Sequence, residues 1–209
     1  MRIPGSASAI SLTCLGHESL LNAGILHRDI SIGNIMLTEK EDDGFLIDLD
    51  LAIKTSDDQA SGAPSKTGTK IFMAIGALLG DPHTFMHDLE SFFWVLLWIC
   101  IHHDGLDKNG KVKRRIVPKY EKWNYAGTEE LAEIKDGQIS NRIFSTVDNN
   151  FTNHCKPLVP CLRELHKVVF PGGAPRLQED HRLYPQMLAV LEKAREHMGK
   201  LQHKVEDRP

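Results

Sequence analysis

The sequence predicts a mainly α-helical fold with a few short β-strands. Residues 88–101 are apolar on nearly every face, which is typical of a helix buried at the centre of a domain. Residues 184–204 place apolar side chains at helical spacing, and the apolar stretches within 25–37 and 45–53 suit short strands beside loops. With 209 residues, 41% of them hydrophobic, the chain has the size and composition of one folded domain.

The first part of the chain is predicted as a helix, two short strands and a loop. The helix covers about 18–22, with a start that could lie earlier, because Gly24 follows it as a stop signal. The apolar stretches 25–37 and 45–53 each predict a strand next to a polar loop. Residues 54–69 are rich in Ser, Thr, Asp, Gly and Pro, and therefore predict a mobile surface loop.

The second part begins with the buried helix, for which Asp88 is predicted as the N-cap. Residues 102–140 are charged and mixed and are interpreted as solvated loop. Their basic run 111–115 leaves a nuclear import signal open as an alternative. From Ile139 onward we expect two or three amphipathic helices broken by prolines, the last of them at about 184–204.

Charge, hydropathy and cysteine content exclude several classes of function. The net charge of -3 does not suit binding to the phosphate backbone, so no nucleic-acid partner is expected. The longest apolar run, 92–101, is shorter than the roughly 17 to 25 residues of a membrane-spanning helix, so no membrane partner is expected either. The four cysteines form no CxxC pair and predict reduced thiols, in keeping with an intracellular chain of the cytoplasm or nucleus.

Oxygen-bearing side chains follow a spacing that suits phosphoryl transfer. His27, Arg28 and Asp29 are followed by Asn34 at a fixed distance, and Asp48 comes next within an apolar stretch. Transfer of a phosphoryl group requires a carboxylate that orients the acceptor and hard oxygen ligands for Mg²⁺. The sequence therefore predicts that Asp29 orients the acceptor hydroxyl, while Asn34 and Asp48 hold the metal.

These residues resemble the catalytic loop and the Asp-Phe-Gly region of protein kinases. The sequence is most similar to the fungal-type protein kinase family, through LHRDIS-GNIM, LIDLDLA, GT--FMA and HDLESFFWVL. The similarity covers about residues 17–101, and the helical remainder at about 139–204 is compatible with it. The resemblance implies that residues 1–209 form a kinase-like C-terminal lobe.

The resemblance also implies the cofactors, the partner and the role of each residue. The cofactors would be ATP and Mg²⁺, and the acceptor a Ser or Thr hydroxyl of a protein. Asp29 would be catalytic together with His27 and Arg28, and Asn34 and Asp48 would bind the nucleotide and its metal. Gly68 and Thr69 would belong to the end of the activation segment that meets the substrate, and Asp88 would support the backbone of the catalytic loop.

The sequence departs from the kinase pattern at several positions. Ser31 replaces a lysine that neutralises the transferred phosphate, and Leu49 and Asp50 replace the phenylalanine and glycine of Asp-Phe-Gly. Gly76 stands where the Glu of Ala-Pro-Glu is expected, so the ion pair that anchors the activation segment is predicted to be absent and the segment loose.

No glycine-rich GxGxxG loop and no Val-Ala-Ile-Lys occur in the sequence, so we expect the N-lobe of the kinase fold to be supplied upstream or by a partner. Two alternatives to a protein kinase stay open. One is a catalytically inactive pseudokinase that serves as an interaction module. The other is a small-molecule phosphotransferase similar to aminoglycoside and choline kinases, which often lack the lysine replaced by Ser31.

Overall fold

The computed structural model describes residues 6–38, 44–55 and 68–206, and this part of the chain is mainly helical, as predicted. Its helices are α1 (Ser6–Asn22), α2 (Ile75–Leu79), α3 (Phe85–His102), α4 (Pro118–Glu121), α5 (Thr128–Ile139), α6 (Asn141–Phe144), α7 (Val159–Val169) and α8 (Leu183–Glu206). Its strands are β1 (Ile25–Leu26), β2 (Ile35–Leu37), β3 (Gly44–Leu46), β4 (Ile53–Lys54), β5 (His103–Leu106) and β6 (Val112–Arg114). The centre of the predicted loop 54–69, residues 56–67, lies outside the described residues.

The strands form three antiparallel pairs, β1 with β4, β2 with β3, and β5 with β6. The prediction of a strand across 45–53 is wrong, because β3 ends at Leu46 and β4 begins only at Ile53. Between them the backbone of Asp48 adopts the left-handed conformation, with φ of 65°. Such a residue cannot continue a strand, so the chain turns at this point.

Helix α3 forms the centre of the core, with side chains that are buried from Asp88 to His102. It packs against α1, α7 and α8, and burying each large apolar side chain along it contributes about 1.5–3 kcal/mol. The prediction that Asp88 is the N-cap is wrong. The helix begins at Phe85, after Thr84, and the His87 ring nitrogen Nδ1 accepts a hydrogen bond from the Thr84 N–H at 3.0 Å.

Helix α1 is longer than the predicted 18–22 and ends as expected before Gly24, which has a φ of 75°. The predicted C-terminal helix is confirmed as α8, and it buries Met187 and Leu191 completely. Helix α8 packs against α1 and α7, so the two ends of the described chain lie together.

The prediction that 102–140 is solvated loop is wrong for much of its length. It holds the hairpin of β5 and β6, in which the basic run 111–115 is largely exposed, and helix α5, which packs against α2. The side chain of Glu130 accepts a hydrogen bond from the Gly127 N–H at 3.2 Å at the start of α5. The expected helices after Ile139 are α6, α7 and α8.

Within the described ranges, no helix combines the length and apolar composition needed to cross a lipid bilayer. Cys14, Cys100, Cys155 and Cys161 are all free thiols and all buried.

Candidate active site

The loop between β1 and β2, residues 27–34, brings Asp29 and Asn34 together, and we call it the catalytic loop. The Asn34 Nδ2 donates to the Asp29 carbonyl oxygen at 2.9 Å and to the Asp29 Oδ2 at 3.0 Å. These bonds fix the carboxylate and leave the amide oxygen of Asn34 as the group with lone pairs for a cation. Asp29 is partly exposed, so an external hydroxyl can reach it.

Backbone strain is concentrated at this site. Among the non-glycine residues that the structure describes, only Arg28 and Asp48 have a positive φ, at 68° and 65°. A non-glycine residue in this region costs on the order of 1–3 kcal/mol and persists only where its surroundings hold it. Both residues belong to the predicted motifs, so the strain coincides with the functional prediction.

Asp48 lies next to the catalytic loop through the backbone of Ile47. The Ile47 N–H donates to the Asn34 carbonyl at 3.0 Å, and the His27 Nε2 donates to the Ile47 carbonyl at 3.1 Å. Ile47 is thus bonded to the catalytic loop through both its N–H and its carbonyl, and Asp48 is the next residue along the chain. The Asp48 side chain is exposed, and its Oδ1 accepts a hydrogen bond from the Asp50 N–H at 3.3 Å.

His27 is completely buried and has a structural rather than a proton-transferring environment. Its Nδ1 accepts from the Asp29 N–H at 3.3 Å, which leaves Nε2 as the protonated nitrogen that bonds to Ile47. Burial lowers the pKa of His27, so the ring is neutral at pH 7. His27 therefore joins the catalytic loop to the strand end that carries Asp48.

Asp88 holds the backbone of the catalytic loop, which is the role predicted for it. Its carboxylate accepts hydrogen bonds from the backbone N–H groups of His27 and Arg28, both at 3.1 Å. His17 Nε2 at 2.8 Å and His83 Nε2 at 2.7 Å complete its surroundings. Burial opposes the charge of Asp88, but these two histidines outweigh it and hold the pKa of the carboxyl well below its usual value.

The network continues from Asp88 to the C-terminal helix. The hydroxyl of Tyr184 on α8 donates to the Nδ1 of His17 on α1. The chain therefore connects α8, α1, α3 and the catalytic loop through one buried series of hydrogen bonds.

Residues 68–76, which we call the acceptor segment, lie directly against the catalytic loop. The Thr69 N–H donates to the Asp29 Oδ1 at 2.7 Å. Gly68 has a φ of 106°, and a Cβ at this position would meet the Arg28 carbonyl oxygen at 2.6 Å. Glycine is therefore required here for the segment to reach Asp29.

The activation segment is predicted to be loose, but its end, the acceptor segment, is held in place, whereas residues 56–67 lie outside the described residues. Met73, Ala74 and Ile75 are all buried. The Ile75 N–H donates to the Glu90 Oε1 at 2.8 Å, and the Lys135 Nζ donates to the Met73 carbonyl at 2.5 Å. The acid and base that hold the segment come from α3 and α5 instead of from the position of Gly76.

The other departures from the kinase pattern differ in their exposure. Leu49 and Asp50 are exposed, whereas Ser31 is buried. Leu49 is an exposed apolar residue, as are Phe45 and Ile47 before it, and we call these three residues the apolar stripe. Asp48 lies within this stretch of chain.

The site residues predicted from the sequence thus converge in part. Asp29 bonds directly to Asn34 and to the backbone of Thr69, and His27 and Asp88 support this loop. Asp48 is adjacent through the backbone. In the residues described, no group of three or more His, Cys, Asp or Glu side chains is arranged to hold a metal ion, and Asn34 is a ligand type outside that set.

The comparison with protein families agrees with this geometry. Residues 8–100 match the fungal protein kinase family. The resemblance drawn from the motifs is thereby confirmed, and the matched stretch includes the catalytic loop, Asp48, the acceptor segment and most of α3. A search of curated proteins finds no match to the chain.

Several residues that support the site are not predicted from the sequence, namely His17, His83, Glu90, Lys135 and Tyr184. Their contacts join positions far apart in the chain, such as His17 with Tyr184 and Lys135 with Met73. A signal for Glu90 was present, since a charge within an otherwise apolar helix requires a buried partner.

Proposed function

We propose that this chain is the catalytic part of an ATP-dependent protein kinase, with a kinase-like C-terminal lobe, that transfers phosphate to Ser or Thr hydroxyl groups of proteins. The observation that carries the proposal is the contact of Asp29 with both Asn34 and Thr69. It combines an acceptor-orienting carboxylate, a candidate metal ligand and the segment that would meet the substrate.

Each of these residues has a defined chemical task in this proposal. Asp29 accepts the hydrogen bond of the substrate hydroxyl and orients its oxygen towards the phosphate. The oxygens of Asn34 and Asp48 suit Mg²⁺, which prefers hard oxygen ligands. When bound, Mg-ATP supplies the phosphoryl group, and its metal offsets the negative charge of the transition state.

The apolar stripe supports the proposal that an N-lobe covers the nucleotide. Phe45, Ile47 and Leu49 are exposed by 44%, 39% and 48%, beside the predicted metal ligand Asp48. Three neighbouring apolar side chains exposed to this degree favour a covering element. We propose that a strand-rich N-lobe, supplied upstream or by a partner, packs here and contributes the residues that hold the phosphates.

The second candidate is a nucleotide-independent interaction module. It is favoured by Ser31, because the lysine of active kinases is replaced here by a short neutral side chain that is 5% exposed. In this case Asp29 would serve only to hold the acceptor segment in place.

The test is phosphate transfer from labelled Mg-ATP to protein acceptors, with an aminoglycoside and choline as parallel acceptors. We expect transfer to Ser or Thr in protein, and a loss of about 100-fold or more in Asp29→Asn, which removes the charge that orients the acceptor. Asp50→Asn is the matched control, since Asp50 is an exposed carboxylate on the same stretch as Asp48, and its activity should equal that of the wild type.

Equal activity of Asp29→Asn and wild type would contradict the assigned role. Transfer to the small molecules alone would identify a small-molecule kinase. Absence of transfer together with absence of Mg-ATP binding, in a sample that includes the N-lobe, would favour the interaction module.

A further inference from the structure

Two ionisable side chains lie in the core and take no part in the chemistry proposed above. Lys135 is completely buried and Glu90 is 7% exposed. Burial raises the pKa of the Glu90 carboxyl and lowers the pKa of Lys135 to about 7. Removing such charges from water costs several kcal/mol per ion, so the presence of both groups in the core indicates a role other than stability.

Glu90 and Lys135 bond to the same short piece of backbone. Glu90 Oε1 accepts from the Ile75 N–H at 2.8 Å, and Lys135 Nζ donates to the Met73 carbonyl at 2.5 Å. The two bonds lie on either side of Ala74, which is 1% exposed. A carboxyl group satisfies a backbone donor and an amine satisfies a backbone acceptor, within three consecutive residues of the acceptor segment.

Trp94 holds both charged groups in place. Its indole Nε1 donates to the Glu90 Oε1 at 2.8 Å, and its ring faces the Lys135 Nζ, which lies 4.5 Å from the ring centroid. Hydrogen bonding and a cation–π contact therefore fix the pair against α3.

A short rigid connection joins this anchor to Asp29. Residues Lys70–Phe72 form one turn of 3₁₀ helix, in which the Phe72 N–H bonds to the Thr69 carbonyl at 2.8 Å and the Met73 N–H to the Lys70 carbonyl at 3.2 Å. The Thr69 N–H at the start of that turn bonds to Asp29. Movement at Met73 would therefore move Thr69 relative to the Asp29 carboxylate.

We propose that Glu90 and Lys135 are positioning residues, which fix the acceptor segment at Met73 and Ile75 and thereby set the place of Thr69 over Asp29. The proposal rests on the proposed function for its consequence in catalysis, whereas the anchoring itself is measurable without any activity. In this proposal the two side chains anchor the segment, as a glutamate at position 76 would do in the kinase pattern.

Amide hydrogen exchange of the full chain tests the anchoring. In Lys135→Met the Met73 carbonyl loses its donor, and we expect exchange of residues 69–76 to become about tenfold faster or more, while residues 92–100 of α3 change less. Glu133→Gln, an exposed position of the same helix, is the matched control and should exchange as the wild type does.

Two further variants separate positioning from general stability. Leu131→Ala removes a completely buried apolar side chain from α5 and should lower Tm without selective exposure of residues 69–76. The double variant Glu90→Gln, Lys135→Met removes both charges, so Tm should recover relative to Lys135→Met while exchange at 69–76 stays fast. Exchange at 69–76 that follows Tm across all variants would overturn the proposal.

A kinetic readout addresses the consequence for the reaction. In the transfer assay, Lys135→Met should raise KM for the protein acceptor about tenfold and leave KM for ATP unchanged, because only the acceptor segment moves. Equal changes in both KM values would contradict positioning. If the wild type transfers no phosphate in the presence of its N-lobe, the proposed function fails, and the exchange experiment alone decides whether the anchoring holds.

Discussion

Helix α3 presents two buried carboxylates, Asp88 and Glu90, to two different parts of the site. Asp88 accepts the backbone N–H groups of the catalytic loop, and Glu90 accepts the N–H of Ile75 in the acceptor segment. Their electrostatic situations are opposite. The pKa of Asp88 is held well below its usual value by two histidines despite burial, whereas burial raises the pKa of Glu90.

These opposite pKa shifts show that burial alone does not decide the charge of a carboxylate. Asp88 has the side chains of His83 and His17 beside it, and these two histidines outweigh desolvation. Glu90 has one backbone donor, one indole donor and the coulombic attraction of Lys135. The catalytic loop is therefore held by a carboxylate that stays ionised. The acceptor segment is held by Glu90 and Lys135, whose pKa values are shifted towards each other.

The largest expected loss of stability follows from removing Asp88, the carboxylate with more hydrogen-bond donors around it. Asp88→Ala leaves two buried histidines and two backbone N–H groups without their acceptor, and we expect a loss of about 3–5 kcal/mol of unfolding free energy. Urea denaturation measures it. Asp88→Asn keeps the shape and one acceptor oxygen and should fall between this variant and the wild type; equal stability of all three proteins would contradict the role of Asp88.

The pH dependence of stability should differ in sign between the two carboxylates. Because the folded pKa of Asp88 is depressed, its contribution is present above about pH 4 and is lost as the pH falls below that value. Because the folded pKa of Glu90 is raised, the contribution of its protonated form is fully present below about pH 4.5 and is lost as the pH rises through the folded value.

Denaturation at a series of pH values tests this contrast. Asp88→Asn should lose stability less steeply than the wild type between pH 4 and 2. Glu90→Gln should lose more stability than the wild type on acidification from pH 7 towards 4.5, because it lacks the proton uptake by Glu90 that offsets part of the loss from buried histidines of lowered pKa. Parallel curves for both variants and the wild type would show that neither carboxylate has a shifted pKa.

A smaller effect is expected from the indole that donates to Glu90. Trp94→Phe removes this hydrogen bond and should destabilise the protein by about 1–3 kcal/mol more than Trp123→Phe. Trp123 is the matched control because it is 1% exposed and its Nε1 has no hydrogen-bond partner in the described part of the chain. The comparison is made by urea denaturation, and equal losses would mean that the bond to Glu90 contributes nothing.

The smallest effect concerns the outer end of the Asp88 network. Tyr184→Phe removes the hydroxyl that donates to His17 and should cost about 1 kcal/mol, seen as a decrease in Tm. Tyr125→Phe, at a side chain that is 85% exposed, should leave Tm unchanged. A Tm for Tyr184→Phe as high as that of the control would remove the hydroxyl from the network.

The sequence was sufficient for the local part of the site and for the long helices. Asp29 and Asn34 lie five positions apart in one loop and were expected at one site through the resemblance to the kinase catalytic loop, and the helices α3 and α8 follow from apolar composition and periodicity. The turn at Asp48 could not be predicted from the alternation of residues 45–53. That pattern suits a strand, whereas hydrogen bonds to the catalytic loop hold the backbone in another conformation.

The supporting contacts were beyond sequence reasoning because they depend on tertiary packing. Helix α5 has few apolar residues and contains Gly137, so its periodicity is weak, and its stability comes from packing against α2. From the sequence alone, Lys135 is expected to be a solvated lysine of a charged segment. In the fold it lies against Met73 and Trp94.

The most direct test of the central claim is the change in Tm that ATP causes in the presence and absence of Mg²⁺, measured for the wild type, Asp48→Asn and Asp50→Asn. The account predicts a Mg²⁺-dependent rise in Tm for the wild type and for Asp50→Asn, and its loss in Asp48→Asn, because Asp48 supplies a metal ligand. A Mg²⁺-dependent rise that persists undiminished in Asp48→Asn would contradict the account.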